Sequence, residues 1–360
     1  MSWERHILGE LIYIKKGKSI TKKDSKAGPY PVVLGGREPA YYIDQFNHTG
    51  KAIVVSRSGA SAGFISHWNE PIFVTDGFLI QPKENINHDF LYYLMKSHES
   101  ELQGLQGGSA IPHVTPNIIN NIIVYIPNIY IQENIANILS TYDDLIENNN
   151  RQIKLLEEAA QRLYKEWFVD LHFPGHENCK IVDGVPEGWR KKTVGDLIGK
   201  VPRTTQIPAS CYKKNGEIPV IDQSKVFIAG YTDEKSALVD LHMPVIVFGD
   251  HTRILKYIQF PFARGADGTQ LIVSRTTNMP QSLLYYGLVN IDLSNYHYAR
   301  HFKYLKAESL LVPDKKNAEL FDGYVSVLQE KIQDLRDEMY LSAEARDRLL
   351  PKLMSGEIEV

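Results

Sequence analysis

Two stretches of this 360-residue sequence carry side chains whose types and spacing suit contact with a nucleic acid. Ser56-Arg57-Ser58-Gly59-Ala60-Ser61-Ala62-Gly63 follows an apolar β-type run and sets one arginine among three hydroxyls, on a loop whose glycines permit close approach. Phe248-Gly249-Asp250-His251-Thr252-Arg253 ends a second such run and is read as its counterpart. An arginine fork beside small hydroxyls suits phosphate oxygens and the guanine edge, while Asp, His and Thr supply base-edge donors and acceptors. The competing account is structural: Arg57 and Arg253 pair with nearby carboxylates, and Asp250 and His251 fix a turn. Arg37, Tyr41 and His113 in the first half, and Gln223, Ser224, Arg300 and His301 in the second, complete the candidate contacts.

Other chemistry is searched for and not found. Gly17-Lys18-Ser19 imitates a phosphate loop, but that motif needs a glycine five positions before Gly17, where Ile12 stands. Neither a glycine-rich cofactor loop nor the Asn/Asp-Pro-Pro-aromatic string of a methyltransferase occurs, so no catalytic residue is assigned. Pro313-Asp314 followed by acids and Lys331 imitates a nuclease cluster; its counterpart Pro127-Asn128 lacks the acid, and both precede a helix, so capping is the better account. Asp250 and His251 have no third metal ligand at a suggestive spacing, and Cys179 and Cys211 form neither a CxxC pair nor a disulfide framework. No metal or bound cofactor is expected.

The elements that must position these loops are written twice. WERHILGELI at 3–12 and WRKKTVGDLI at 189–198 share Trp, Gly, Leu and Ile in register, at an offset of 186. Further landmarks recur. Pro31-Val32-Val33 parallels Pro219-Val220-Ile221, Ile53-Val54-Val55 parallels Val245-Ile246-Val247, and Asp76-Gly77 parallels Asp267-Gly268. The register returns to 186 at Ile126-Pro127 against Val312-Pro313 and at Arg162-Leu163 against Arg348-Leu349. The chain reads as a tandem duplication.

Each copy changes periodicity part-way. Short β-rich runs such as AIVVS, PIFVT, PVIVF and TQLIVS, punctuated by Gly, Pro and Asn/Asp, predict a compact α/β lobe over 1–130 and again over 176–312. Segments 131–175 and 313–360 read as helices with one apolar seam of period near 3.5. In the first copy the seam runs through Ile135, Leu139, Tyr142, Ile146, Asn149, Ile153, Leu156 and Leu163, joined by Ala160 and Trp167. The second copy has Phe321, Leu328, Ile332, Leu335, Met339, Leu349 and Leu353, with Val325, and weakens at Ser342 and Arg346. A helix of 34 to 38 residues makes a rod roughly 50 Å long, and one apolar stripe on it needs a partner. The predicted fold is therefore α/β: a duplicated globular lobe followed by a long helix, the two helices paired as an antiparallel coiled coil with pseudo-twofold symmetry. Asn149 is either a hydration point in the seam or a polar residue that sets its register.

The formal charge of −3 excludes a uniformly basic coat, but it divides by segment: +1 over 1–130, −4 over 131–175, +4 over 176–312 and −4 over 313–360. The lobes are the better polyanion contacts. No run is long enough to span a bilayer and MSWERHIL lacks a signal-peptide layout, so a cytoplasmic chain away from membranes is expected.

Together these features resemble the specificity subunit of type I restriction-modification systems. The resemblance is carried by Pro186-Glu187-Gly188-Trp189 with the Gly-Asp-Leu that follows, VIVFGDHTR at 245–253, Tyr298-Ala299-Arg300-His301-Phe302, IPNIYIQENIANIL at 126–139 and RLLPKLMSGEI at 348–358. It implies that each lobe is a target recognition domain for half of a bipartite, asymmetric DNA site. It also implies that the helices set the spacing and dock modification (methyltransferase) subunits, two of them, with restriction subunits joining through the complex. S-adenosylmethionine and adenine methylation would belong to the partner, and this chain would be non-catalytic. The alternative from the residues alone is a duplicated helical scaffold or regulator that binds proteins rather than DNA.

Overall fold

The computed structural model describes residues 3–21, 23, 25–36, 38–104, 113–296 and 300–360. Each sequence copy closes its lobe with its own first and last strands: Glu4–Ile7 pairs antiparallel with Ile123–Ile126, and Arg190–Thr193 with Ser309–Val312. The repeated WxxxxxGxLI stretch thus supplies the strand that ties the start of a lobe to the strand leading into its long helix.

In the first lobe, β1 (Ile12–Lys16), β2 (Ala52–Ser56), β3 (Ile65–Trp68) and β4 (Gly77–Pro82) form a sheet in the order β1-β4-β2-β3, every neighbour antiparallel. All five residues of β2 are buried, which is why its first four, Ala52 to Val55, are continuously apolar rather than alternating. Gly17 lies where its N–H donates to Gly77 O, and a Cβ there would stand 2.4 Å from Thr75 O. Its glycine is required by close backbone approach and holds no phosphate loop. Helix α1 (His88–Ser97) starts at Asn87, whose Oδ1 accepts from Asp89 N and Phe90 N. Helix α2 (Ile129–Phe168) follows the lobe.

The second lobe repeats the plan. Strand β5 (Val245–Gly249) lies between β6 (Leu255–Ile258) and β7 (Thr269–Ile272), followed by α3 (Gln281–Val289), α4 (His301–Ala307) and α5 (Lys315–Met354). Asp314 caps α5, its Oδ1 accepting from Asn317 N at 2.9 Å and its Oδ2 from Trp189 Nε1 at 3.0 Å. The acid that imitated a nuclease carboxylate is a helix cap.

Ladder register corrects the alignment of the copies. Ile53 faces Ile80 and Ser56 faces Gly77, whereas Ile246 faces Ile272 and Gly249 faces Thr269. Ile53 therefore matches Ile246 rather than Val245, and Ser56 matches Gly249 rather than Phe248. Short apolar runs of β-branched residues align nearly as well one residue out of step, and only the ladder breaks the tie.

The two long helices have 40 residues each, or about 60 Å at 1.5 Å per residue. The chain divides into two compact units, Met1–Asn148 with Glu338–Val360, and Asn149–Asp337, so each unit holds one lobe and a part of both helices. These divisions cut through the helices, where sequence periodicity alone set boundaries at their ends. In the first unit Leu353 shares a core with Ile135 and Leu139, and Arg346 pairs with Asp143. In the second, Phe321 packs edge-on to Trp167 and Phe168, and Arg336 Nη2 meets Glu157 Oε1 at 2.8 Å, an antiparallel run of contacts. Ile135, Leu139, Asn149, Ile153, Phe321, Ile332, Leu335 and Leu353 are buried. Tyr142, Ile146, Leu156, Leu163, Leu328, Met339 and Leu349 are half-buried.

Candidate nucleic-acid interface

The first-lobe loop leaves the buried end of β2. Ser56 Oγ donates to Gly35 O at 2.9 Å and is a framework group. Arg57 Nε donates to Asp76 Oδ1 at 2.7 Å, and Ser58 Oγ donates to the other oxygen of the same carboxylate. The ion pair is about a quarter exposed, so it fixes the arginine without removing it from the surface. Val114 N donates to Arg57 O, which brings exposed His113 to the same rim. Arg57 and His113 line a cleft of about 570 Å3 with Tyr13, Lys16, Lys83 and Asn120. Sequence reasoning missed Lys16, Lys83 and Tyr13; the Lys15-Lys16 pair at a strand end was the available signal. Lys83 Nζ donates to Gly9 O and Glu10 O, tying the cleft wall to the start of the lobe. Tyr41 packs with the small Val32, Ile43 and Phe73 core, and Ser61 O accepts from Phe64 N within the turn. Arg37, Tyr298 and Ala299 lie outside the described residues.

In the second lobe most candidates bond to one another's backbone. Gln223 Oε1 accepts from His251 N at 3.1 Å, its Nε2 donates to Asp267 O at 2.8 Å, and its carbonyl accepts from Thr252 Oγ1 at 2.7 Å. Ser224 donates through N and Oγ to Asp222 Oδ1. Buried Lys256 donates to the carbonyls of Asp222 and Val226, pinning the loop that carries Gln223 and Ser224. Burial pulls its ammonium down to about 8, against the opposing Asp222 carboxylate.

Asp250 is buried; its Oδ1 accepts from Phe302 N at 2.8 Å, and its carbonyl faces His301 N and His301 Nδ1, both at 2.9 Å. Asp250 therefore caps α4 from a distant loop, and His301, whose Nε2 faces Tyr296 O, is part of the same latch. Asp250 is thus a buried scaffold group rather than an exposed one. Arg253 adopts a left-handed φ of 63° and donates to Leu293 O rather than to a carboxylate. His251, Thr252, Arg253 and Arg300 are exposed, with the His251 ring against Gly268, where a Cβ would stand 2.6 Å from His251 Cδ2. Here the structure gathers Gln223, Ser224, His251, Thr252 and Arg253 around one strand end.

The two lobes thus share one plan and carry polar loops at equivalent strand ends. Residues 2–158 match the family described as the type I restriction modification DNA specificity domain. The chain is similar to the type I restriction enzyme MjaIX specificity subunit of Methanocaldococcus jannaschii, 28% identical over 340 residues that cover 86% of this chain and 78% of that one. It is 30% identical over 209 residues to the MjaVIII specificity subunit of the same organism, covering 54% of this chain and 49% of the relative. Among solved structures, the type I restriction-modification S subunit from M. genitalium has the same fold, with a TM-score of 0.64 at 18% identity over 98% of this chain and 96% of that one. No helix among the described residues is long and apolar enough to cross a membrane.

Proposed function

We propose that this chain is the DNA-recognition subunit of a type I restriction-modification complex. Each lobe reads half of a bipartite, asymmetric site, and the long helices set the spacing and dock modification subunits, two per complex. The single observation that carries this reading is similarity to a specificity subunit across 86% of the chain. The differing loop chemistry of the lobes supports an asymmetric site: a basic cleft around Lys16, Arg57, Lys83 and His113 in one, and a neutral-to-basic platform around Gln223, His251 and Arg253 in the other. Phosphate contacts position a protein and base contacts specify, so exposed Arg253, Arg300 and His251 are the second lobe's contacts and the buried latch residues its scaffold.

In this reading the chain itself transfers no methyl group and cuts no strand. S-adenosylmethionine and adenine chemistry reside on the modification subunits, restriction subunits join through the complex, and the whole works in the cytoplasm. The test is to assemble the chain with modification subunits and map methylated adenines genome-wide. A bipartite motif that appears only when the chain is present is expected. Methylation independent of the chain, or of a continuous motif, would overturn the reading.

A further inference from the structure

Three side chains of the first lobe converge on a point that DNA recognition does not use. His67 on β3 and His88 with Asp89 in the first turn of α1 each bring one ligand atom within 4.8 Å of the others. His67 Nε2 and His88 Nδ1 both lie 3.6 Å from Asp89 Oδ1, too long for hydrogen bonds. All three atoms are buried without a hydrogen-bond partner among the described residues. Buried polar atoms left unpaired destabilise a fold, so a ligand that engages all three would be stabilising. The second Asp89 oxygen is taken by Lys51 Nζ at 2.5 Å, and the His67 ring stacks on Tyr92 with centroids 4.9 Å apart, so the groups are held in place.

The second lobe provides an internal control. Its ladder places Tyr257 where the first lobe has His67, since Ile53 faces His67 and Ile246 faces Tyr257. Helices α1 and α3 open HDFLYY and QSLLYY, so Gln281 and Ser282 stand for His88 and Asp89. There the polar groups of Gln281 and Ser282 are satisfied. Gln281 Oε1 accepts from Ser274 N and Gln281 Nε2 donates to Ile272 O, both at 2.9 Å, and Ser282 Oγ donates to Asp322 Oδ1 at 2.6 Å. Downstream contacts match as well, Tyr93 to Asp143 in one lobe and Tyr286 to Gln329 in the other. The scaffold therefore forms without the two histidines and the aspartate, and the fold does not explain them.

We propose that His67, His88 and Asp89 bind one Zn2+ ion, which crosslinks β3 to α1 in the first lobe alone. A tetrahedral zinc with bonds of about 2.0–2.1 Å sets its ligand atoms roughly 3.4 Å apart, close to the two 3.6 Å separations. Two imidazoles and a carboxylate are a borderline nitrogen-oxygen set suited to zinc rather than to magnesium. His67 and Asp89 also line a cavity of about 310 Å3 with Asp143, Asp144 and Glu147, which gives a water access to the fourth position and attracts a cation.

The test uses the untagged full chain, stripped with a chelator and titrated with Zn2+ against a chromophoric competitor, beside His67→Tyr and Asp89→Ser. These variants install the residues that the second lobe already accommodates, so each is designed to fold. One Zn2+ per chain is expected, bound at least about tenfold more weakly by both variants. The calorimetric transition of the first unit should rise with Zn2+ in the wild type and stay fixed in the variants. Absence of stoichiometric uptake, equal uptake by the variants, or a preference for Mg2+ would each overturn the assignment.

Discussion

Asp250 occupies in the second lobe the position that Arg57 occupies in the first. Each follows the buried central strand by one residue and donates its backbone N–H to the facing chain, Arg57 to Asp76 O and Asp250 to Gly268 O. One lobe thus presents an arginine held by a carboxylate, and the other a carboxylate turned inward onto a helix terminus with an exposed histidine beside it. The same backbone site has opposite charge in the two copies, as the proposed asymmetric site would require.

Arg57 both holds Asp76 and faces the basic cleft, and a double-mutant cycle separates these roles. Arg57→Ala alone should destabilise the first lobe by about 1 kcal/mol, because Asp76 keeps only Ser58. Adding Asp76→Ala should recover most of that stability but not DNA affinity in the assembled complex. Recovery of affinity along with stability would make Arg57 a structural residue only. The measurements are calorimetry of the chain and filter binding of the complex at fixed salt.

The Asp250 latch predicts a different outcome. Asp250→Ala removes the acceptor for Phe302 N and should cost about 1–2 kcal/mol in the second lobe. Asp250→Asn keeps an oxygen there and should cost less. Hydrogen exchange at residues 301–307 reads the effect directly: faster exchange in the alanine variant, near wild type in the asparagine variant.

His251 and Arg300 are exposed and make no side-chain contact that the fold requires among the described residues. His251→Ala and Arg300→Ala should leave thermal stability within about 0.5 kcal/mol of wild type. Both should weaken DNA binding of the complex, and only a residue that touches a base should also relax the second half-site in methylation maps. An unchanged map and unchanged affinity for both would move recognition to another face of that lobe.

Lys256 gives the pH dependence. Its ordinary value is near 10.5, and burial lowers it to about 8 in the folded lobe. Between those values the unfolded chain holds a proton that the folded lobe has released, so stability should rise with pH across that window. Below 8 both states are protonated and the contribution is flat. Lys256→Met should remove this slope, measured as the difference in calorimetric stability between the two proteins from pH 7 to pH 10. Identical slopes would show that the carbonyls of Asp222 and Val226 hold the ammonium charged.

Recurring landmarks and periodicity together determined the architecture: a duplicated β-rich lobe followed by a helix with a 3.5-residue seam. Local patterns report which face of an element is apolar, and that survives without knowledge of partners. The capping role of Asp314 was equally legible, because a cap bonds within its own turn. The roles of the loop residues were decided by tertiary structure. Arg57 meets Asp76 and Asp250 meets Phe302 only because elements far apart in sequence end side by side, and no local pattern encodes that meeting. The one-residue offset between the copies has the same origin, since register belongs to a pair of strands and not to either alone. His67 shows the limit most plainly: 21 residues separate it from His88, and only the packing of a strand against a helix sets their rings 5.4 Å apart.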